Sequence, residues 1–325
     1  MNFKLVRKTI AGVMVCLSAA GAAMAADPYP ERTLRFVVNF PPGGASDSLA
    51  RVFGQELSRI MGQNVLIDNK PGAGGAIGMV FASREPADGY TFTMGTLGSA
   101  IVQPLIRKTP YDMAKDFQPV SLIATGPAVL VVNAESPYKS LADIVSAAKA
   151  RPDALNFGSG GVGTFAHLTG AMLNQAAGIK MTHVPYRGGV KALNDVLANQ
   201  LQMIAVDPPS ALPQIRAGKL RAIAYTGAKR STLLPDVPTF AESGYPELVG
   251  ANSWSIWLPA GVPKDVADNF HKALSKAMQS PALREKFAEF GAEPVSTSPQ
   301  ELRAFVDAET ARFTKIVKEQ GIRGD

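Results

Sequence analysis

A single cysteine, Cys16, and three histidines, His167, His183 and His271, are spread over 325 residues. So few soft ligands, with no metal-binding spacing among them, carry no zinc signature. The chain has no Gly-x-Ser-x-Gly elbow, no His-Glu-x-x-His and no Gly-Lys-Ser/Thr phosphate loop, so the familiar hydrolase and nucleotide signatures are missing. The 33 basic and 27 acidic residues form no long run or stripe, which speaks against nucleic-acid binding. Beyond residue 25 no apolar stretch is long enough to cross a bilayer. No internal repeat, low-complexity tract or obvious linker interrupts the chain.

The N-terminus has the opposite character. Lys4, Arg7 and Lys8 precede an apolar stretch of small residues from Thr9 to Met24, and Ala23-Met24-Ala25 fits a small-x-small cleavage rule. This pattern predicts residues 1–25 to be a secretory signal peptide, cut before Ala26. An uncleaved anchor is the main rival, but the apolar part is short and weakly hydrophobic. A lipoprotein would need a small residue where Val15 stands before Cys16. Cleavage removes three basic residues, leaving 30 against 27 acidic and a net charge of +3. It also removes the only cysteine, so the exported chain is expected to depend on packing rather than disulfides. Its remaining length suggests about two domains.

Apolar runs alternate with helical periodicity, the pattern of an α/β protein. Strands are expected at Leu34–Asn39, Val65–Asp68, Thr91–Met94, Val129–Val132, Leu155–Phe157, Met181–Val184, Leu201–Val206, Leu220–Tyr225 and Ser253–Leu258. Helical spacing appears over Asp47–Met61, Leu141–Ala150 and Val190–Ala198, and again over Asp265–Met278, Pro281–Phe290 and Pro299–Gln320. The last begins with Ser298 as cap, Pro299 at the first position and Glu301 at capping-box distance.

Two glycine-rich turns stand out. Phe40-Pro41-Pro42-Gly43-Gly44-Ala45-Ser46-Asp47 and Gly158-Ser159-Gly160-Gly161-Val162-Gly163-Thr164 each follow an apolar run and open a helix. A helix start has unpaired N–H groups and partial positive charge, so each turn suits a carboxylate or phosphate. Two such turns in separate halves suggest a ligand gripped from both sides. Ligand contacts are therefore expected at Gly43, Gly44, Ala45, Ser46, Asp47, Ser159, Gly163 and Thr164. Ser46 and Asp47 could also simply cap a helix; the Asp47 carboxylate would repel an anion and is expected to orient the loop or bind bridging water. Gly158, Gly160 and Gly163 formally match G-x-G-x-x-G, but no acidic residue lies at the distance a dinucleotide ribose requires.

Asp207 ends a strand-like run, where open α/β sheets place ligand residues. It could equally be a turn aspartate before Pro208; in a cleft it would accept a hydrogen bond from a ligand hydroxyl, ammonium or protonated carboxyl. Thr96 and Ser99 follow another strand in the same manner. Arg187 reads as a solvated loop arginine, His167 and His183 as structural, and Trp254 and Trp257 as core. No nucleophile is visibly assembled with a base.

Many segments also resemble one known family. They include Tyr29-Pro30-Glu31-Arg32, Phe40-Pro41-Pro42-Gly43-Gly44 with Asp47, Asn69-Lys70-Pro71-Gly72-Ala73-Gly74-Gly75 and Asp88-Gly89-Tyr90-Thr91. Further along come Pro110-Tyr111-Asp112 with Asp116-Phe117, Gly158-Ser159 leading to His167-Leu168, and His183-Val184-Pro185-Tyr186-Arg187-Gly188. Ala217-Gly218-Lys219-Leu220-Arg221-Ala222, Leu234-Pro235-Asp236-Val237-Pro238-Thr239 and Pro259-Ala260-Gly261 complete the ordered set. In these the chain resembles the Bug family, the solute-binding proteins of tripartite tricarboxylate transporters.

The resemblance implies a two-lobed periplasmic binding protein of the type II, Venus-flytrap kind, with two crossing strands. Residues 26–126 and 251–325 would form one lobe and 127–250 the other, with crossings near Thr125–Pro127 and Glu247–Gly250. It further implies a small carboxylate held between the two turns, no cofactor, no catalysis, a monomer, and delivery to a membrane permease. A sensor presenting its closed form to a membrane histidine kinase would keep the same fold, whereas an exported α/β enzyme acting on anionic substrates would need a catalytic pair. The resemblance breaks at Asn39, where proline is more frequent, which implies atypical pocket chemistry near the first turn.

Overall fold

The computed structural model describes residues 29–324. The expected signal peptide lies outside the described residues. In chain order the elements are β1 (Leu34–Val38), α1 (Ala45–Met61), β2 (Val65–Asn69), α2 (Ala76–Ser83), β3 (Thr91–Thr96), a wide helical segment Leu97–Val102 running into α3 (Gln103–Ile106), β4 (Phe117–Gly126) and β5 (Val129–Asn133). Next are α4 (Leu141–Ala150), β6 (Asn156–Ser159), α5 (Phe165–Ala177), β7 (Thr182–Pro185), α6 (Gly189–Leu197), β8 (Met203–Val206), α7 (Pro208–Arg216) and β9 (Leu220–Tyr225). The chain closes with β10 (Asn252–Pro259), α8 (Lys264–Met278), α9 (Pro281–Glu289), the short β11 (Glu293–Pro294) and α10 (Pro299–Glu319).

The strands form two separate mixed sheets, giving a two-lobed α/β fold. The first has the order β11-β4-β10-β3-β1-β2 and the second β7-β6-β8-β5-β9. In the first, β1 lies parallel between β2 and β3, while β10 runs antiparallel between β3 and β4. In the second, β6 lies parallel between β7 and β8, and β5 runs antiparallel to β8 and β9. The chain therefore leaves the first sheet between β4 and β5 and returns between β9 and β10.

Helices cover both faces of each sheet, which is why the central strands are nearly continuous apolar runs. On one face of the first sheet, Phe36 stacks on Phe92 with ring centroids 4.4 Å apart, and Phe92 meets Phe270 of α8 at 4.8 Å. The apolar stripe of α1, Leu49, Phe53 and Leu57, is fully buried against this cluster. On the other face, Trp257 packs with Leu302, Val306 and Phe313 of α10. β5 is buried along its whole length and separates the two cores of the second sheet.

Thr226 ties the two connecting segments together. Its Oγ1 accepts from the Ala128 amide and donates to the Gly250 carbonyl, both at 2.8 Å. Its own amide donates to Ala128 O, and its carbonyl accepts from the Gly250 amide.

Candidate functional site

In both sheets the strand order reverses at the strand next to one edge, β1 in one and β6 in the other. Ligands of open α/β sheets collect at such switch points, beyond the carboxyl ends of the strands. Here the carboxyl ends of β1 and β3 face those of β6, β7 and β8 across one cleft. Each of these five strands runs into a helical segment, and each segment's start supplies residues to a cavity between the sheets. Gly44, Ala45 and Ser46 come from the start of α1, and Thr96 and Gly98 from the segment after β3. Thr164, Phe165 and Ala166 open α5, Gly189 and Val190 open α6, and Asp207 and Ser210 open α7. Phe40, Pro41, Ile204, Val206 and Ala128 add apolar wall, and Asn252 adds one amide. The cavity is narrow, with a volume of about 80 Å³.

The helix starts are not equivalent. No side chain caps the helices at Gly44, Thr164 or Gly188, so their first N–H groups remain available to an anion. The start at Thr96 is satisfied internally: Ser99 N–H donates to Thr96 Oγ1, and Thr96 N–H to Ser99 Oγ. At α7 the first two positions are Pro208 and Pro209, which have no N–H to offer. Donors are thus concentrated on the α1, α5 and α6 side.

The tight backbone of the two turns requires glycine at particular points. Gly43, Gly161 and Gly163 have φ of +82°, +133° and +77°, a region barred to most side chains. The two lobes also touch beside these turns. Gly98 lies against Gly163 O, Gly74 against Val162 O and Pro41 against Gly188, and Gln103 Nε2 donates to Val162 O.

Of the residues expected at the site, Gly44, Ala45, Ser46, Thr96, Thr164 and Asp207 line the cavity. Gly43, Asp47, Ser99, Ser159 and Gly163 are not among its lining residues, but support it. Asp47 accepts from the Gly43 amide at 3.0 Å, from Arg51 and from Asn69 Nδ2. Burial pushes its carboxyl upward, but the hydrogen bonds from Arg51, Gly43 and Asn69 outweigh this and hold its pKa below the usual carboxylate value. Ser99 is fully buried. The Asn39 amide turns into the sheet, donating to Met94 O at 2.7 Å and to Ser99 Oγ at 3.4 Å. Its unusual chemistry therefore acts behind the first turn rather than on the cavity wall.

Behind the second turn the structure assembles a pair that sequence reasoning missed. Ser159 Oγ lies 2.7 Å from His183 Nε2, and His183 stacks on His167 with centroids 3.9 Å apart. His167 Nδ1 accepts from the Gly163 amide. Burial lowers the His167 pKa to about 4; burial, then the neighbouring His167, lowers that of His183 to about 3. Ser159 has no exposed surface and also engages Gly161 O and N–H, so this serine faces the turn rather than a substrate. Spacing gave no hint of the pair, because 24 residues separate its members.

Among the described residues, Asp207 is the only ionisable side chain lining the cavity. Its hydrogen-bond partner is Asn252 Nδ2, 3.4 Å from each carboxyl oxygen. Burial pushes its pKa up to about 7, against a smaller lowering by Asn252. Asn252 and the α6 start, Gly189 and Val190, were not expected at the site. Asn252 is a lone polar residue at the head of an apolar strand, and the Gly188-Gly189 pair had no apolar alternation to mark it.

Residues 49–322 match the family model described as the tripartite tricarboxylate transporter family receptor. Protein BugT of Bordetella pertussis is 34% identical over 316 residues, covering 97% of each chain. Among solved structures, the periplasmic binding protein BugD is similar with a TM-score of 0.87 and 31% identity, over 91% of this chain and 99% of its own. The R. palustris protein Rpa4515, solved with adipate, is similar with a TM-score of 0.88 and 36% identity, over 91% and 99% of the two chains.

Proposed function

Because the chain belongs to the tripartite tricarboxylate transporter receptor family, we propose that it captures a small organic carboxylate in the periplasm and delivers it to a membrane permease. The observation that carries this reading is the convergence of uncapped helix starts from both sheets on one cleft. Bare amides of Ala45 and Ser46 on one side, and of Phe165, Ala166 and Gly189 on the other, would hold one carboxylate. A ligand touching both lobes stabilises the closed arrangement over the open one. Residues 26–126 and 251–325 would move as one lobe against 127–250, about the segments that Thr226 joins. Export with cleavage before Ala26, a monomeric state and the absence of catalysis belong to the same reading. Adipate, held by a relative, marks the class of ligand to try first.

Thermal unfolding of the mature protein against mono-, di- and tricarboxylates tests this. Ligand at a hundredfold excess over Kd should add about 2.7 kcal/mol of stability. Ala45→Pro and Gly189→Pro each remove one N–H at a first helical position, where proline is tolerated, and should abolish the shift while leaving the unliganded protein folded. No shift with any carboxylate, in protein cleared of carried-over ligand, would count against the proposal.

A further inference from the structure

The cleft is chemically polarised. Its donors sit at the starts of α1, α5 and α6, whereas the start of α7 carries Pro208, Pro209 and an acid. Among the described residues, no Lys, Arg or His lines the cavity to balance that acid. Asp207 meets Asn252 from β10, with Ser210 of its own helix also in the wall. The remaining side chains of the lining are hydroxyls or apolar groups, and none titrates in the ordinary range.

An anion held by the amides therefore has a carboxyl group, not a cation, as its neighbour elsewhere in the cleft. Two ionised carboxylates brought together without a cation are unfavourable, and one of them takes up a proton instead. Resting on the carboxylate-receptor reading, we propose that Asp207 and the far end of the ligand share one proton. The cleft then selects a carboxylate whose other end brings a hydrogen-bond donor, and takes a dicarboxylate only by binding a proton with it. The raised pKa of Asp207, pushed up to about 7 by burial, is in keeping with this.

The shared chemistry is a donor proton, and matched acids identify its source. Binding to the mature protein would be measured by calorimetry with succinate, 4-aminobutyrate and butyrate, and with adipate, 6-aminohexanoate and hexanoate. Between about pH 7 and pH 8.5 free carboxylic acids are already ionised. Over that interval the bound dicarboxylate should weaken about tenfold per pH unit, and the amino acid should not. Each should bind more tightly than the plain monocarboxylate at pH 7. Asp207→Asn should flatten the dicarboxylate's pH dependence and weaken the amino acid at least tenfold.

A dicarboxylate that binds equally well at both ends of the range overturns the proposal, as does an Asp207→Asn protein with unchanged preferences. So does a plain monocarboxylate that binds best. Failure of every acid to bind removes the receptor reading instead, which separates the two conclusions.

Discussion

Trp254 Nε1 donates a hydrogen bond to Ser46 Oγ at 3.0 Å. One partner lies on β10, the strand returning from the second sheet; the other lies on the first turn and lines the cleft. The indole is buried, so the contact reports on the turn with little interference from solvent. The only other tryptophan is Trp257 on the same strand. Carboxylate binding is expected to shift or quench the tryptophan emission, and Trp254→Phe should remove most of the change while binding persists in calorimetry. A response carried wholly by Trp257 would refute the link.

Gly98 offers a way to hold the lobes apart. A Cβ there would stand 3.3 Å from Gly163 O and 3.4 Å from Thr164 Cα, across the cleft. Gly98→Val places further methyl groups at this contact and should prop the cleft open. Ligand affinity is expected to fall at least tenfold, equivalent to about 1.4 kcal/mol. Small-angle scattering should show a larger radius in the presence of ligand than for the unsubstituted protein.

The stacked histidines make stability depend on acid. Both are neutral when folded, with pKa values lowered to about 4 for His167 and about 3 for His183. The unfolded chain takes up these protons first, near the ordinary histidine pKa of about 6.5. Their contribution is complete above about pH 6.5 and is lost as pH falls toward 4. At pH 4 the loss from His167 alone is about 3 kcal/mol. Urea unfolding between about pH 7.5 and pH 4.5 should show a shallower decline in His183→Gln than in the parent protein. Parallel declines would assign the acid sensitivity to the carboxylates.

Thr226 is a test of the connecting segments. Thr226→Val keeps the shape but leaves the Ala128 amide and the Gly250 carbonyl without their hydroxyl partner. The cost is expected to be about 1–3 kcal/mol, read as a lower urea midpoint. Hydrogen exchange should rise at Ala128 and Gly250 before it rises in the sheets.

Local chemistry was legible where one element determined it. The apolar stripe of Leu49, Phe53 and Leu57 announced α1, and the Ser298-Pro299-Glu301 signal announced the start of α10. β4 was not legible, although it is the longest strand: Pro119 lies inside it, and proline normally marks an edge or a non-strand. β4 tolerates it in a stretch where the register with β10 shifts, between Ile256 and Trp257. The Leu97–Ile106 helical stretch was hidden because Gly98 and Pro104 read as breaks in an apolar run. At the site, the two glycine turns and Asp207 could be read from strand ends. The partners that complete them, Asn252 and His183 with Ser159, are brought together only by the sheet order and not by any local pattern.

The placement of β10 has a consequence for the order in which the molecule can be completed. This strand, residues 252–259, is inserted between β3 and β4, which end at residues 96 and 126. Until it arrives, both neighbours present unpaired backbone edges, and the first sheet is split in two. The second sheet, by contrast, is built wholly from residues 129–225 and has all its strands at an earlier point in the chain. During synthesis from the N-terminus β1, β2 and β3 can therefore pair with one another early, while the facing edges of β3 and β4 wait for β10. The Trp254–Ser46 bond, which ties the first turn to that strand, can form only once β10 has been made.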